Sequence, residues 1–144
     1  MTINISDMMT KKLETIEESF SIQETAKKMR NANVSSLVVV DNKGKPLGIV
    51  TERDIVRKAC VNDVSASKVT NKEIMSPKLI TIDPNSSPSA AVDIMLENNI
   101  RHLLVVDKDN TEPIGMITPL DLRDEEFTDE GLIDAIEDLS MYYK

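Results

Sequence analysis

The chain has 144 residues, a formal net charge of −8, and 40% apolar against 29% charged residues. That length buries a core without disulfides or metal, and the acidic balance excludes a nucleic-acid backbone as main partner while leaving small nucleotides open. Cys60 and His102 are the only cysteine and histidine, which excludes an intrachain disulfide, a cysteine zinc cluster and a multi-histidine metal centre. Aromatics reach only 3%, with no Trp, so the core has to be aliphatic. No apolar run approaches the ~18 residues of a membrane span, and "MTINISDMMTKK" lacks the apolar centre of a signal peptide. A cytoplasmic protein with no membrane contact is expected.

The sequence is internally duplicated. Shifted by 66 residues, Met9–Asp41 falls on Met75–Asp107 with twelve identities in 33 pairs, where chance gives about two. One inserted residue moves the shift to 67, and Pro46, Gly48, Thr51 and Asp54 then fall on Pro113, Gly115, Thr118 and Asp121.

In chain order each copy reads the same way. "KLETI" (Lys12–Ile16) and "KLITI" (Lys78–Ile82) are short β-like runs. A helix follows: Ser21 caps the first, with Ile22, Ala26 and Met29 on one face. Ala91, Ile94 and Met95 line the second, after the breakers Pro84 and Pro88. "SLVVVD" and "HLLVVD" are continuous apolar runs of the buried-strand type. "NKGKP" and "KDNTEP" are turns, "LGIVT" and "IGMIT" the returning strands, and helices start at Glu52 and Pro119. The organisation is an α/β (α+β) fold of tandem βαββα units: a first repeat over 3–60, a polar linker over 61–72, a second repeat over 73–124, and an acidic C-terminal helix over 125–144. The tail from Asp124 carries eight acidic residues. Its stripe of Leu132, Ile133, Ile136 and Leu139 is read as covering the protein's own core, with a partner surface as the alternative.

Both copies spell G-x-x-T-x-x-D. Structurally, Thr51 and Thr118 are N-caps, an acidic residue three positions on completes a capping box, and Pro119 suits the first helical position. Functionally, the same turn presents N–H groups to a phosphate, a Thr hydroxyl donates to it, and an Asp one turn in accepts from vicinal hydroxyls such as those of a ribose. The Gly removes a side chain where a base or sugar comes close.

These residues, with "DMMTKKLETI" beside "EIMSPKLITI" and "VSSLVVVD" beside "IRHLLVVD", resemble a cystathionine-β-synthase (CBS) domain pair, or Bateman module, over about residues 3–124. The resemblance implies two βαββα repeats related by pseudo-twofold symmetry, two clefts between them that take adenosyl compounds (AMP, ADP, ATP or S-adenosylmethionine), and a homodimer. By position it implies Asp54 and Asp121 as ribose acceptors and Thr51 and Thr118 as phosphate donors. Val34, Ser35, Ile100, Gly48, Gly115 and Met116 would line the base and cleft, closed by the segments from Thr10 to Leu13 and from Ser76 to Leu79. Ser35 and Ser36 align with Arg101 and His102, a basic pair suited to phosphate, so the Asp121 cleft is the better equipped for a phosphorylated ligand. The structural alternatives are a surface side chain for Arg101 and a strand-edge ring for His102.

No P-loop, nucleophile elbow or metal-ligand set is present, so no catalytic residues, catalytic cofactor or metal are expected. The function expected is a non-enzymatic regulatory module that senses an adenine nucleotide and signals to a protein target in trans. The alternatives are a dimeric scaffold whose motifs are only caps, an S-adenosylmethionine sensor, and an enzyme fragment.

Overall fold

The chain opens with α1 (Ile5–Met8) and runs through β1 (Thr15–Glu17), α2 (Ile22–Ala32), β2 (Ser36–Val40), β3 (Pro46–Thr51) and α3 (Glu52–Asp54), which widens into a π-helical segment, Ile55–Cys60. After α4 (Asn71–Ile74) the order returns as β4 (Thr81–Ile82), α5 (Pro88–Asn98), β5 (Leu103–Asp107), β6 (Asn110–Ile117) and α6 (Pro119–Arg123), followed by α7 (Glu130–Ser140). This is a computed structural model, and it describes residues 3–77, 79–107, 110–123 and 127–141. The βαββα order expected from the repeat is present twice.

Each copy has a three-stranded sheet, β1-β2-β3 and β4-β5-β6. β1 is parallel to β2, and β2 antiparallel to β3 with Ser36 opposite Thr51. β4 is parallel to β5, and β5 antiparallel to β6 with Leu103 opposite Ile117. The central strands are the continuous apolar runs of the sequence, with Leu37, Val38, Val39, Leu103 and Val105 fully buried.

The chain forms two compact units whose boundary does not follow the repeat. One unit is Leu13–Leu79; the other joins Met1–Lys12 to Ile80–Lys144. The segment before β1 therefore belongs with the second sheet, and the segment before β4 with the first. In the Leu13–Leu79 unit Ile16, Ile22, Met29, Leu37 and Val50 form a core with Ile74 of α4. In the other unit Met95, Leu103, Ile117 and Leu122 form a core with Ile5 and Met8 of α1.

Several identities of the repeat are cap residues. Ser21 and Ser87 accept from the backbone N–H of Glu24 and Ala90, each three residues on, at 3.1 Å. Asn33 and Asn99 end α2 and α5 in the left-handed conformation, φ 55 and 51, which Asn tolerates better than most residues.

The structure corrects some local expectations. Thr25 rather than Ala26 occupies the buried face of α2. Its hydroxyl donates to Asn71 Oδ1 at 2.6 Å, and Asn71 Nδ2 donates to the Glu17 carbonyl at 3.0 Å. A polar pair thus sits where the apolar pattern pointed one residue further on. Asn71 has no exposed surface, so the end of the expected linker is built into the fold. The strands β1 and β4 begin later than "KLETI" and "KLITI" do. β6 begins at Asn110, so Asn110–Pro113 lie in the ladder rather than in a turn; Lys108 and Asp109 fall outside the described residues. The C-terminal helix starts at Glu130, capped by Asp129, whose side chain accepts from the Leu132 N–H at 3.1 Å. Its Ile136 and Leu139 are buried with the second sheet's core, and Leu132 packs against it. The stripe covers the protein's own core, as the amphipathic pattern implied.

The β2–β3 turn rests on Asp41, whose Oδ1 accepts from the N–H groups of Lys43 and Lys45 at 2.9 Å each. The Lys45 N–H first, then that of Lys43, holds the Asp41 carboxyl below its ordinary value. The turn's contribution is therefore complete above the ordinary carboxylate pKa and is lost as pH falls through the lowered one. Gly44 completes the turn at φ +83 with nothing within 4 Å of a built Cβ. Gly44→Ala is expected to cost about 1 kcal/mol from backbone conformation alone, read as a melting point lowered by roughly 3 °C.

Candidate functional site

The two motifs fold into the same construction. β3 ends at Thr51 and β6 hands over to Thr118, and a short helix starts after each. Thr51 N–H and Oγ1 donate to Asp54 Oδ2 at 3.0 and 3.1 Å, while Asp54 N–H donates back to Thr51 Oγ1 at 3.1 Å. Thr118 N–H and Oγ1 donate to Asp121 Oδ2 at 2.9 and 3.2 Å. The capping box read from the sequence is made in full in the first copy, and the carboxylate half of it in the second, with one carboxylate oxygen committed in each.

The second carboxylate oxygen meets a segment from the other copy of the repeat. In the unit containing the second sheet, Thr10 exchanges backbone hydrogen bonds with Met116 at 2.9 and 3.0 Å, and its hydroxyl donates to Asp121 Oδ1 at 3.1 Å. In the unit containing the first sheet, Ser76 exchanges backbone bonds with Ile49 at 2.9 and 3.1 Å, and its hydroxyl donates to Asp54 Oδ1 at 3.3 Å. Thr10 and Ser76 are matched positions of the duplication. Each sheet edge thereby carries a strap whose hydroxyl is held by the motif aspartate.

The motif glycines answer to these straps. A Cβ on Gly48 would overlap the Ser76 carbonyl oxygen, with Met75 Sδ at 3.2 Å. A Cβ on Gly115 would lie 2.5 Å from Met9 Sδ and 3.0 Å from the Thr10 carbonyl. The close approach that requires glycine is made by the protein's own chain.

The other candidate residues are distributed as follows. Val34 follows the left-handed Asn33 and donates its N–H to the Met29 carbonyl at 3.0 Å, and the Ser35 carbonyl accepts from Glu52 N–H at 3.0 Å. Ile100 repeats Val34, donating to Met95 at 3.0 Å. Arg101 is only 7% exposed, and its Nη1 donates to the Ile100 carbonyl at 3.2 Å and lies 3.5 Å from Asn99 Oδ1. It is therefore not the surface side chain of the structural alternative. His102 is half-buried immediately before β5. Since Leu103 pairs with Ile117, Arg101 and His102 enter the sheet at the end where β6 passes to Thr118. Leu13 and Leu79 are half-buried at the two ends of their unit's sequence.

Sequence reasoning missed Lys58. Its Nζ pairs with Asp54 Oδ1 at 3.0 Å and donates to the Ile74 carbonyl at 3.0 Å. The signal was present, because an acid followed four residues later by a base meets it across one helical turn. The matched residue of the second copy is Glu125, outside the described residues. Among the described residues no group of three His, Cys, Asp or Glu side chains is arranged to hold a metal, and no helix is long and apolar enough to cross a membrane.

Known proteins with the same construction are readily found. The family model described as CBS domain matches residues 5–60 and again 72–127. Protein MK0525 of Methanopyrus kandleri, itself uncharacterized, is 32% identical over 121 residues, 84% of this chain; the chain spans 61% of that protein's length. A conserved protein from Pyrococcus horikoshii superposes with a TM-score of 0.80 at 30% identity, covering 90% of this chain and 98% of that one. The CBS domain pair of protein MJ0100, solved in complex with 5'-methylthioadenosine and S-adenosyl-L-methionine, gives a TM-score of 0.75 at 31% identity over 85% of this chain and 94% of that one. With both halves of its duplication matched and the strand order repeated in each, the chain belongs to the CBS domain family, as a tandem pair.

Proposed function

We propose that the chain is a regulatory module that binds an adenosyl compound through its G-x-x-T-x-x-D motifs and passes the binding event to a protein partner in trans. The observation that carries this reading is the hydrogen bond from Thr10 Oγ1 to Asp121 Oδ1. A carboxylate fixed by its own cap on one oxygen offers the other to a hydroxyl, and the strap supplies that hydroxyl here. A ribose 2'- or 3'-hydroxyl carries the same donor and replaces it one for one, so little desolvation penalty remains uncompensated. The relative MJ0100, bound to two adenosyl compounds, supports the ligand class. Exchange of the Thr10 hydroxyl for a ligand hydroxyl would loosen the strap on β6, giving the ligand unequal affinity for two states, as regulation requires.

In this reading Asp54 and Asp121 are the ribose acceptors and Thr51 and Thr118 face the phosphate or its equivalent. Arg101 and His102 favour AMP, ADP or ATP at the Asp121 motif, and S-adenosylmethionine is the competing ligand. No catalytic role is assigned. The exposed lone Cys60 suits a reducing, cytoplasmic setting, and a homodimer is the assembly that the family resemblance implies.

The capping boxes and the strap-filled glycines favour one second reading, a scaffold in which both motifs are structural. One experiment separates the two. Thermal melting with AMP, ATP, S-adenosylmethionine or 5'-methylthioadenosine at ten times its Kd is expected to add about 1.4 kcal/mol, a rise of roughly 5 °C. The rise should disappear in Asp121→Ala. No rise with any of the four at millimolar concentration decides for the scaffold.

A further inference from the structure

The short helices that lead into the two straps dock alike. In the Leu13–Leu79 unit the Asn71 N–H of α4 donates to the Phe20 carbonyl at 3.0 Å, and the Lys72 N–H to that of Glu18 at 3.1 Å. In the other unit the Ile5 N–H of α1 donates to the Ser86 carbonyl at 3.0 Å, and the Ser6 N–H to that of Pro84 at 2.9 Å. These donors and acceptors match one another at the shift of 66 residues. Residues 9–14 join α1 to β1 and residues 75–80 join α4 to β4, six in each case. β1 and β3 flank β2 in their sheet, about 10 Å apart, and the chain from Thr10 to Thr15 extends to about 17 Å. The same holds from Ser76 to Thr81. Each strap therefore has the anchors and the reach to close the sheet of its own repeat, yet each closes the other one.

Two buried positions tell the docking sites apart. Thr25 and Asn71 of one unit match Ala91 and Ile5 of the other, and all four have no exposed surface. The first pair is polar: the Thr25 hydroxyl donates to Asn71 Oδ1 at 2.6 Å, and Asn71 Nδ2 to the Glu17 carbonyl at 3.0 Å. The second pair is apolar and lies in the core with Ile82, Met95 and Leu103. With α4 on the second sheet, Asn71 would meet the Asp83 carbonyl in place of that of Glu17, but Ala91 brings no donor to its amide oxygen. A buried acceptor left without a donor carries its full desolvation penalty. With α1 on the first sheet, Ile5 would leave the Thr25 hydroxyl its bond to the Ser21 carbonyl at 2.9 Å, a smaller loss. If α1 takes the first sheet, only the second is left to α4, so the larger penalty bars both misplacements.

We propose that the Thr25–Asn71 pair is the selector that decides which strap closes which motif. A single buried polar residue among apolar alternatives fixes partner and register in the same way in coiled coils. By assigning α4 to the first sheet, the pair sets the Ser76 hydroxyl on Asp54 and leaves the Thr10 hydroxyl to Asp121. The make-up of both motifs is thus determined by two side chains that belong to neither. The selection operates whatever the motifs bind.

The test traps the straps by cysteine cross-linking in the whole chain carrying Cys60→Ser. Thr10→Cys/Met116→Cys reports the native bridge and Thr10→Cys/Ile49→Cys the exchanged one, since Thr10 pairs with Met116 and Ser76 with Ile49. Ser76→Cys/Ile49→Cys calibrates the yield at Ile49 when a strap lies beside it. Each protein is refolded reduced and then oxidised briefly. With Thr25 and Asn71 in place, the native bridge alone is expected. Thr25→Ala/Asn71→Ile gives both units the apolar pair, and is expected to fold and to raise the exchanged cross-link roughly tenfold, within one chain or between two. Ile5→Asn/Ala91→Thr gives both units the polar pair and should do the same, which keeps the test decisive if the first variant does not fold. All four substitutions together exchange the pairs and should restore the native bridge alone. A pair that only stabilises would shift the melting temperature and leave the exchanged cross-link at its starting level in both double variants, which would overturn the proposal. Failure of both double variants to fold would overturn it too, because the two pairs would then not be interchangeable.

Discussion

Gly48→Ala is expected to lower the melting temperature by roughly 10 °C, and Gly115→Ala by about a third of that, although the two glycines are matched positions of one repeat. The reason is what each methyl group would meet. At Gly48 it overlaps the Ser76 carbonyl, a backbone atom that also accepts the Ile49 N–H at 3.1 Å. Relief requires moving the strap, which breaks the two backbone hydrogen bonds between Ser76 and Ile49 and the Ser76–Asp54 contact. Overpacking of 1–3 kcal/mol and hydrogen bonds of about 1 kcal/mol each bring the loss to about 3 kcal/mol. At Gly115 the nearest atom is Met9 Sδ, the far end of a flexible side chain, and the Thr10 carbonyl stands 3.0 Å away. Methionine repacks at small cost. Thermal denaturation of both variants checks this, and equal losses would overturn the assignment of Gly48 to strap packing.

The second large effect is expected at Asn71. Asn71→Ala removes the acceptor of the Thr25 hydroxyl and the donor to the Glu17 carbonyl, at a site with no exposed surface. The Thr25 hydroxyl keeps the Ser21 carbonyl at 2.9 Å and the Glu17 carbonyl keeps the Phe20 N–H at 3.2 Å, so the loss is two hydrogen bonds of about 1 kcal/mol each plus the cavity left by the side chain. The expected total is about 3 kcal/mol. Thr25→Val removes only one of these groups and can leave the other arm of Asn71 intact, so its loss should be smaller. The double variant should lose less than the sum of the two singles, because the residues share one hydrogen bond. Denaturant unfolding of the three variants measures the coupling. A loss at Asn71 within about 0.5 kcal/mol, the range of ordinary surface changes, would mean that the segment before β4 is not tied to the first sheet.

Both predictions concern features that the sequence displayed without explaining. Asn71 was visible as part of a polar stretch and reads as linker, because polarity marks loops and satisfied buried polar groups alike. Ala26 fitted the apolar stripe of α2 better than Thr25 does, and only the arrival of Asn71 makes a threonine the better residue on the buried face. The motif glycines were legible as points of close approach. Whether a ligand or the chain itself makes that approach is invisible locally, since glycine admits either.

The candidate site divides in the same way. The cap contacts Thr51–Asp54 and Thr118–Asp121 were legible because all their atoms lie within four consecutive residues, and local spacing dictates local geometry. Lys58 was legible in principle from its four-residue spacing. The Thr10–Asp121 hydrogen bond was not, for it joins residues 111 positions apart.

By itself the amino-acid sequence determined the duplication, the βαββα order, the helix caps and the apolar central strands. Each of these follows from residue chemistry at separations of a few positions, or from comparing the chain with itself. Only the tertiary structure decided which strap closes which sheet. It also decided that the straps occupy the glycine faces and carboxylates of both motifs, and that Lys58 pairs with Asp54. Those contacts depend on where the backbone returns after long excursions, and no periodicity or local propensity encodes that return.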